Sequence, residues 1–169
     1  MWNDTDTPLA YFISFRTYGT WLHGDARGSI DRFHNAYGSP YIPANNRWKS
    51  YKQKLLKTRP LILNATRRRV VEESIRETRR IRKWSLYAVN VRTNHVHVVV
   101  QAPKAPELVL NAFKANATRR LREEELWRYP SSPWAFKGSK RRLWNEKSVE
   151  RAIDYVLYGQ GDGPPDFDD

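Results

Sequence analysis

The chain has 169 residues, 40% hydrophobic and 28% charged, a size and balance that fit one domain with a real core. Thirty Lys and Arg against eighteen Asp and Glu leave a net charge of +12, which points to a polyanionic partner. The lack of cysteine excludes disulfides, thiolate zinc sites and a cysteine nucleophile, and no apolar stretch is long enough to span a membrane.

Leu9 to Trp21 (LAYFISFRTYGTW) is rich in aromatic and β-branched residues and predicts a first strand ending at Gly19 or Trp21. From Leu22 to Pro60 no period holds, because Gly24, Gly28, Gly38, Pro40, Pro43 and the Asn45-Asn46 pair interrupt it. That predicts a long irregular insertion with one short helix around Trp48 to Leu56. Ala65 to Lys83 predicts a helix with a thin apolar stripe of Val71, Ile75 and Ile81. Its many basic residues, Arg67, Arg68, Arg69, Arg79 and Arg80 among them, fit two readings equally: a solvated face paired with Glu72, Glu73 and Glu77, or a nucleic-acid surface.

Ser85 to Arg92 and His95 to Gln101 are strand-like runs joined at Thr93-Asn94, which predicts a tight hairpin. A helix follows from Pro106 or Glu107 to about Glu125, with Phe113, Ala117 and Leu121 at i, i+4 and i+8. A polar loop carries the basic run KGSKRR, Lys137 to Arg142. The last helix runs from Ser148, expected as its N-cap, to about Tyr158, with Gly159 as the stop. Residues 1–161 are read as one domain and 162–169 as an acidic flexible tail. The order strand, helix, strand, strand, helix, short strand, helix predicts an α+β domain with an antiparallel sheet.

Two features carry chemistry. In Asn94-His95-Val96-His97-Val98-Val99-Val100 the two histidines alternate with valines, so on a strand they share one face about 6.7 Å apart. Two imidazoles so placed can converge on one divalent ion, or can be plain half-buried strand residues. In the last helix Val149, Ala152, Ile153, Val156 and Leu157 form the expected buried stripe. Tyr155 lies roughly 130° from its centre and Tyr158 almost opposite it, so neither is needed by the core. A phenol of pKa about 10 becomes a useful nucleophile only with help, such as a metal that polarises the electrophile.

The block Thr93-Asn94-His95-Val96-His97-Val98-Val99-Val100 resembles the PNHVHLLV block of the HUH single-strand DNA transposases. DYVLYGQG resembles their tyrosine segment, and Leu143-Trp144-Asn145-Glu146 their LWE or FWE element. The nearest likeness is to the REP-associated tyrosine transposases, from about Leu9 to Gln160. The resemblance implies a ferredoxin-like βαββαβ domain that cleaves and rejoins single-stranded DNA through a 5′-phosphotyrosine intermediate. Tyr155 takes the place of the nucleophile, and His95 and His97 those of the ligands for Mg²⁺ or Mn²⁺. Relatives often carry a third ligand, Gln or Asn, four residues after the tyrosine, where this chain has Gly159; Gln160, one residue on, is the substitute.

The basic candidates for DNA contact are Lys114, Arg119, Arg120, Arg122, Lys137, Lys140, Arg141 and Arg142. The expected partner is single-stranded DNA, hairpin-containing, bound by a monomer or homodimer in the cytoplasm, with no membrane partner. The runner-up is a non-catalytic nucleic-acid-binding module, which predicts salt-sensitive binding without metal or adduct. A replication or relaxase-type nickase and a metal-dependent hydrolase fit less well: nickases of that kind are longer, and no third His or paired carboxylate serves a hydrolase.

Overall fold

The sequence of strands and helices settles into a four-stranded antiparallel sheet with helices on both faces. The computed structural model describes residues 7–19 and 60–159. The elements are β1 (Ala10–Arg16), α1 (Ala65–Arg82), β2 (Ser85–Val91), β3 (His95–Gln101), α2 (Pro106–Glu123), β4 (Ser139–Leu143) and α3 (Glu146–Tyr158). The sheet order is β2-β3-β1-β4, the ferredoxin-like arrangement in which the two central strands carry the hairpin histidines and the first aromatic run. The segment from Leu22 to Arg59, the helix expected at Trp48 to Leu56, Gln160 and the acidic tail lie outside the described residues.

Alternation along each strand divides the core in two. On one face Ile13, Phe15, Val96, Val98 and Val100 pack with Val70, Val71 and Ile75 of α1 and with Val109, Phe113, Ala117 and Leu121 of α2. On the other face Ala10, Phe12, Ala88, Val99 and Leu143 pack with Ala152, Tyr155 and Val156 of α3. Each fully buried Val, Leu or Phe contributes roughly 1.5–3 kcal/mol of apolar transfer, so both faces hold the sheet. The histidine face is therefore a second, smaller core and not an open surface.

Several expectations are corrected by this packing. The first strand ends at Arg16, short of the Gly19 or Trp21 expected from the sequence. Ile81 is 68% exposed, because α1 turns Val70, Val71, Ser74, Ile75 and Thr78 inward instead. The N-cap of α3 is Asn145, whose side chain accepts from the Ser148 backbone N–H at 2.8 Å. Part of the basic run forms the edge strand β4, where cationic side chains discourage pairing with a further strand. Gly138 lets that strand start against β1: a Cβ there would fall 2.6 Å from the Ser14 carbonyl oxygen.

The helix carrying the tyrosine is rotated from the expected orientation. Ser148, Ala152, Tyr155 and Val156 are its buried residues, while Leu157 is 43% exposed. Small residues at 148 and 152 allow a close approach to the sheet, and the Tyr155 ring comes down beside Phe12. Tyr155 thus belongs to the core of its face, contrary to the stripe read from the sequence; Tyr158, 84% exposed, stands where expected.

Candidate active site

The site grows out of the β2–β3 hairpin. Thr17, fully buried, gives both its backbone N–H (3.0 Å) and its hydroxyl (3.2 Å) to the Asn94 carbonyl. The Leu63 N–H holds the neighbouring Thr93 carbonyl at 2.7 Å. The turn that aims the first histidine is therefore clamped from two sides, which limits the rotamer and backbone freedom left to be lost on binding.

Each imidazole is then oriented by a hydrogen bond at Nδ1. Asn94 Oδ1 lies 2.7 Å from His95 Nδ1, and a carbonyl oxygen only accepts, so the proton sits on Nδ1 and the lone pair on Nε2. Ser14 Oγ lies 2.5 Å from His97 Nδ1, directly across from it in the β1–β3 register. Burial, then the neighbouring His95, Arg16 and Arg92 charges, push His97 down to about 3, so its imidazole is neutral at pH 7. Neutral, oriented imidazoles are what a metal requires of histidine.

Tyr155 joins them from the helix side. The His95 and His97 rings are 4.8 Å apart by centroid, and the Tyr155 ring stands 5.6 Å from His97. Phe12 stacks on His97 at 5.4 Å and meets Tyr155 edge-on at 5.9 Å, so one aromatic wedge fixes both. The end of α3 is tied to the sheet by Asn90, whose Nδ2 donates to the Val156 carbonyl at 2.9 Å. Gly159 follows with its N–H on the Tyr155 carbonyl at 3.0 Å. A Cβ at Gly159 would lie 3.2 Å from Tyr155 Cα, so this residue brings the chain past the tyrosine but offers no donor.

The structure thus gathers His95, His97 and Tyr155, which are far apart in sequence, and adds Ser14, Thr17, Asn90 and Phe12, which sequence reasoning missed. Their signal was weak: a serine, a threonine and an asparagine in strands are ordinary until the register shows what they face. Among the described residues no group of three His, Cys, Asp or Glu is placed to hold a metal, so the donor set there is the two histidines.

The basic candidates do not form one surface. Arg119 pairs with Glu77 and Glu123, each at 2.7 Å, and Arg120 with Glu77, Glu73 and Glu124 at 3.2–3.5 Å. The Asn116 hydrogen bond, then the charges of Arg120, Arg119 and Arg80, hold the Glu77 carboxyl below the usual range despite some burial. Arg122 donates to the carbonyls of Tyr129, Pro130 and Ser131. As DNA contacts these three arginines would have to share groups that already tie the fold together. Lys114 donates to the carbonyls of Ala135 and Lys137, and burial, then the Lys140 charge, lower it to about 8. With Lys137, Lys140 and the exposed Phe136 it lines a cavity of about 620 Å³ beside α2. Alternation along β4 puts Lys140 and Arg142 on that α2 side and Arg141, the cross-strand partner of Phe12, on the tyrosine side.

The family model described as "Transposase IS200 like" matches residues 54–147, more than half of the chain, ending before Tyr155. A REP-associated tyrosine transposase bound to a REP hairpin superposes with a TM-score of 0.49 at 13% identity. That alignment covers 87% of this chain, and the chain spans only 63% of that protein. A protein named as a transposase from Deinococcus radiodurans gives a TM-score of 0.46 at 14% identity, covering 90% of this chain and 91% of its own. No curated protein matches the sequence. No helix among the described residues is long and apolar enough to cross a membrane.

Proposed function

The chain belongs to the family of IS200-like transposases, and on that premise we propose that it cleaves and rejoins single-stranded DNA with Tyr155 as nucleophile and His95 and His97 as metal ligands. The observation that carries this reading is the edge contact between the Tyr155 and His97 rings, with His95 alongside. It puts a phenol beside the neutral imidazole of His97 and the oriented imidazole of His95 on a strongly basic protein.

In the proposed reaction Tyr155 Oη gives up its proton and forms a bond to phosphorus. The bond from phosphorus to the 3′-oxygen breaks, and that oxygen takes up a proton. The products are a free 3′-hydroxyl and a 5′-phosphotyrosine, and joining runs the same exchange backwards. The residues fit a divalent ion: His95 and His97 would hold Mg²⁺ or Mn²⁺ through Nε2, with oxygens of phosphate and water completing the shell. When bound, such an ion supplies positive charge against the charge that develops on the phosphate oxygens. Gln160 remains the proposed third ligand, carried just beyond Gly159. Phe12 and Asn90 keep the tyrosine and the helix end in place while the strand is exchanged.

The substrate proposed is single-stranded DNA bearing a hairpin. Its backbone is attracted by the +12 charge, and its unpaired bases find aromatic side chains such as Phe136, 92% exposed, beside Lys137 and Lys140. The test is to incubate the protein with end-labelled hairpin oligonucleotides carrying single-stranded flanks, with and without Mn²⁺. A denaturation-resistant protein–DNA adduct that requires the ion is expected. Salt-sensitive binding with no adduct would replace this reading with a non-catalytic binding module.

A further inference from the structure

On the face of the sheet away from the tyrosine, α2, the loop that follows it and β4 enclose the cavity of about 620 Å³. Lys140 fixes the side: its strand partner Ile13 belongs to the core shared with α1 and α2, opposite the histidine face. None of the residues lining the cavity takes part in the strand-cleaving site. The side chain that reaches it from α2 is Lys114, half-buried and used by no step of that chemistry.

Lys114 Nζ donates to the Ala135 carbonyl at 3.0 Å and to the Lys137 carbonyl. Lys137 presents that carbonyl from a left-handed conformation, φ 64°, which a residue with a side chain adopts only under constraint. Burial first, then the charge of Lys140, lowers the Lys114 amine to about 8. On the order of a tenth of it is then neutral at pH 7, against about one part in three thousand for an ordinary lysine. A neutral amine has two hydrogens, which the two carbonyls accept, and a lone pair left over. A lysine held in place, partly desolvated and set beside another cation is the kind that attacks carbonyl carbon.

The walls select the carbonyl compound. Lys137 and Lys140 bring two further ammonium groups to the cavity, the first lying 5.7 Å over the exposed Phe136 ring. Ser131 Oγ, on the same wall, is buried without a hydrogen-bond partner, so an oxygen-rich ligand gives it one. Cations grouped around a nucleophilic amine suit an electrophile that carries its own anion. We propose that the cavity binds a phosphate-bearing aldehyde, which Lys114 captures as a reversible Schiff base while Lys137 and Lys140 hold the phosphate. In DNA that chemistry belongs to the open-chain sugar of an abasic nucleotide; outside DNA it belongs to a free phosphorylated aldehyde. The nitrogen lone pair bonds to the aldehyde carbon, and the aldehyde oxygen takes up protons and leaves as water as the C=N bond forms. The Glu107 carboxyl lines the same cavity and can carry a proton from nitrogen to that oxygen. The protonated imine keeps one N–H, so one carbonyl bond survives, and the loss of the other is offset by release of the left-handed Lys137. This activity stands apart from the strand-cleaving reading, since it uses neither Tyr155 nor the histidines.

The test is reductive trapping with Tyr155→Phe in EDTA, where no tyrosine adduct can form. The probes are pyridoxal 5′-phosphate and a single-stranded oligonucleotide with one abasic site, each with and without cyanoborohydride, which reduces an imine to a stable amine. Peptide mapping should place a reductant-dependent label on Lys114. Labelling by the oligonucleotide assigns the aldehyde to DNA, and labelling by pyridoxal phosphate alone assigns it to a free compound; both support the site. Pyridoxal, which lacks the phosphate, should label Lys114 about tenfold less, the worth of one charge-assisted hydrogen bond. Lys114→Arg keeps the charge and the donors and should lose the label from that peptide, while mapping of the unsubstituted lysine decides the matter even if the Arg variant folds poorly. No trapping with either probe, a label spread over exposed lysines such as Lys83 and Lys104, or pyridoxal reacting at Lys114 as fast as its phosphate would overturn the proposal. The Mn²⁺-dependent adduct of the wild type is scored separately: its absence removes the strand-cleaving reading and leaves the result at Lys114 untouched.

Discussion

The ring of Tyr155 stands edge-on to the imidazole of His97, centroids 5.6 Å apart, although one comes from the last helix and the other from the central hairpin. Phe12 touches both, so the three rings form a single packed unit. Tyr155→Phe keeps that unit and should cost no more than about 1 kcal/mol, the ordinary worth of one hydroxyl. Tyr155→Ala opens a cavity among Phe12, Val99 and Val156 and should cost about 3 kcal/mol or more. Urea melts of the two variants check this; an Ala variant as stable as the Phe variant would mean the ring is not packed as described.

Removing either histidine separates metal dependence from folding. His95→Ala should abolish Mn²⁺-dependent cleavage with little loss of stability, since His95 is only half-buried. His97→Ala should abolish it too, and should also lower the melting temperature because the ring stacked on Phe12 is lost. Calorimetric Mn²⁺ titrations of the three proteins provide the readout besides activity. Full cleavage by His97→Ala, or unchanged Mn²⁺ binding in both variants, would remove the metal site from the account.

Metal-free stability should carry the signature of His97. Its pKa in the folded protein is about 3, below its ordinary 6.5, so between those values the unfolded chain binds a proton that the folded chain refuses. Stability from this group is therefore intact above pH 6.5 and declines as pH falls through the window, by roughly 1 kcal/mol per pH unit at the steepest. Denaturant melts in EDTA from pH 7 to 4 should show that decline, and His97→Gln should flatten it. An equal decline in both proteins would assign the acid sensitivity to other groups.

The histidine pair, the hairpin that carries it and the strand and helix order are legible in the sequence because alternation and turn chemistry are local. What surrounds the pair is not. Ser14 and Asn90 gain their meaning from β1–β3–β2 register, which no stretch of sequence states. The rotation of α3 escapes the apolar pattern for a related reason. Counting apolar residues gives no weight to Ser148 and Ala152, yet small residues mark where a helix can press closest to a sheet. The strand β4 hides behind Lys140, Arg141 and Arg142, residues that a strand accepts readily only at an exposed edge.

Asn90 tests whether the helix end must be held for chemistry. Its amide is bonded to the Val156 carbonyl, one residue past the tyrosine. Asn90→Ala should cost about 1 kcal/mol of stability and leave DNA affinity unchanged, because no phosphate contact is removed. The cleavage rate at saturating DNA should fall, since the tyrosine loses part of its positioning. A variant that cleaves at the wild-type rate would make Asn90 a matter of folding alone.

The central claim is that Tyr155 and no other tyrosine becomes covalently joined to DNA. The direct measurement is peptide mapping of the adduct formed with a hairpin oligonucleotide and Mn²⁺, run on the wild type, Tyr155→Phe and Tyr158→Phe. Tyr158 is the matched control, three residues along the same helix and 84% exposed. The account predicts a nucleotide on the Tyr155 peptide in the wild type and in Tyr158→Phe, and no adduct in Tyr155→Phe even though that variant folds and binds DNA normally. An adduct on Tyr158, or one that persists in Tyr155→Phe, would contradict it.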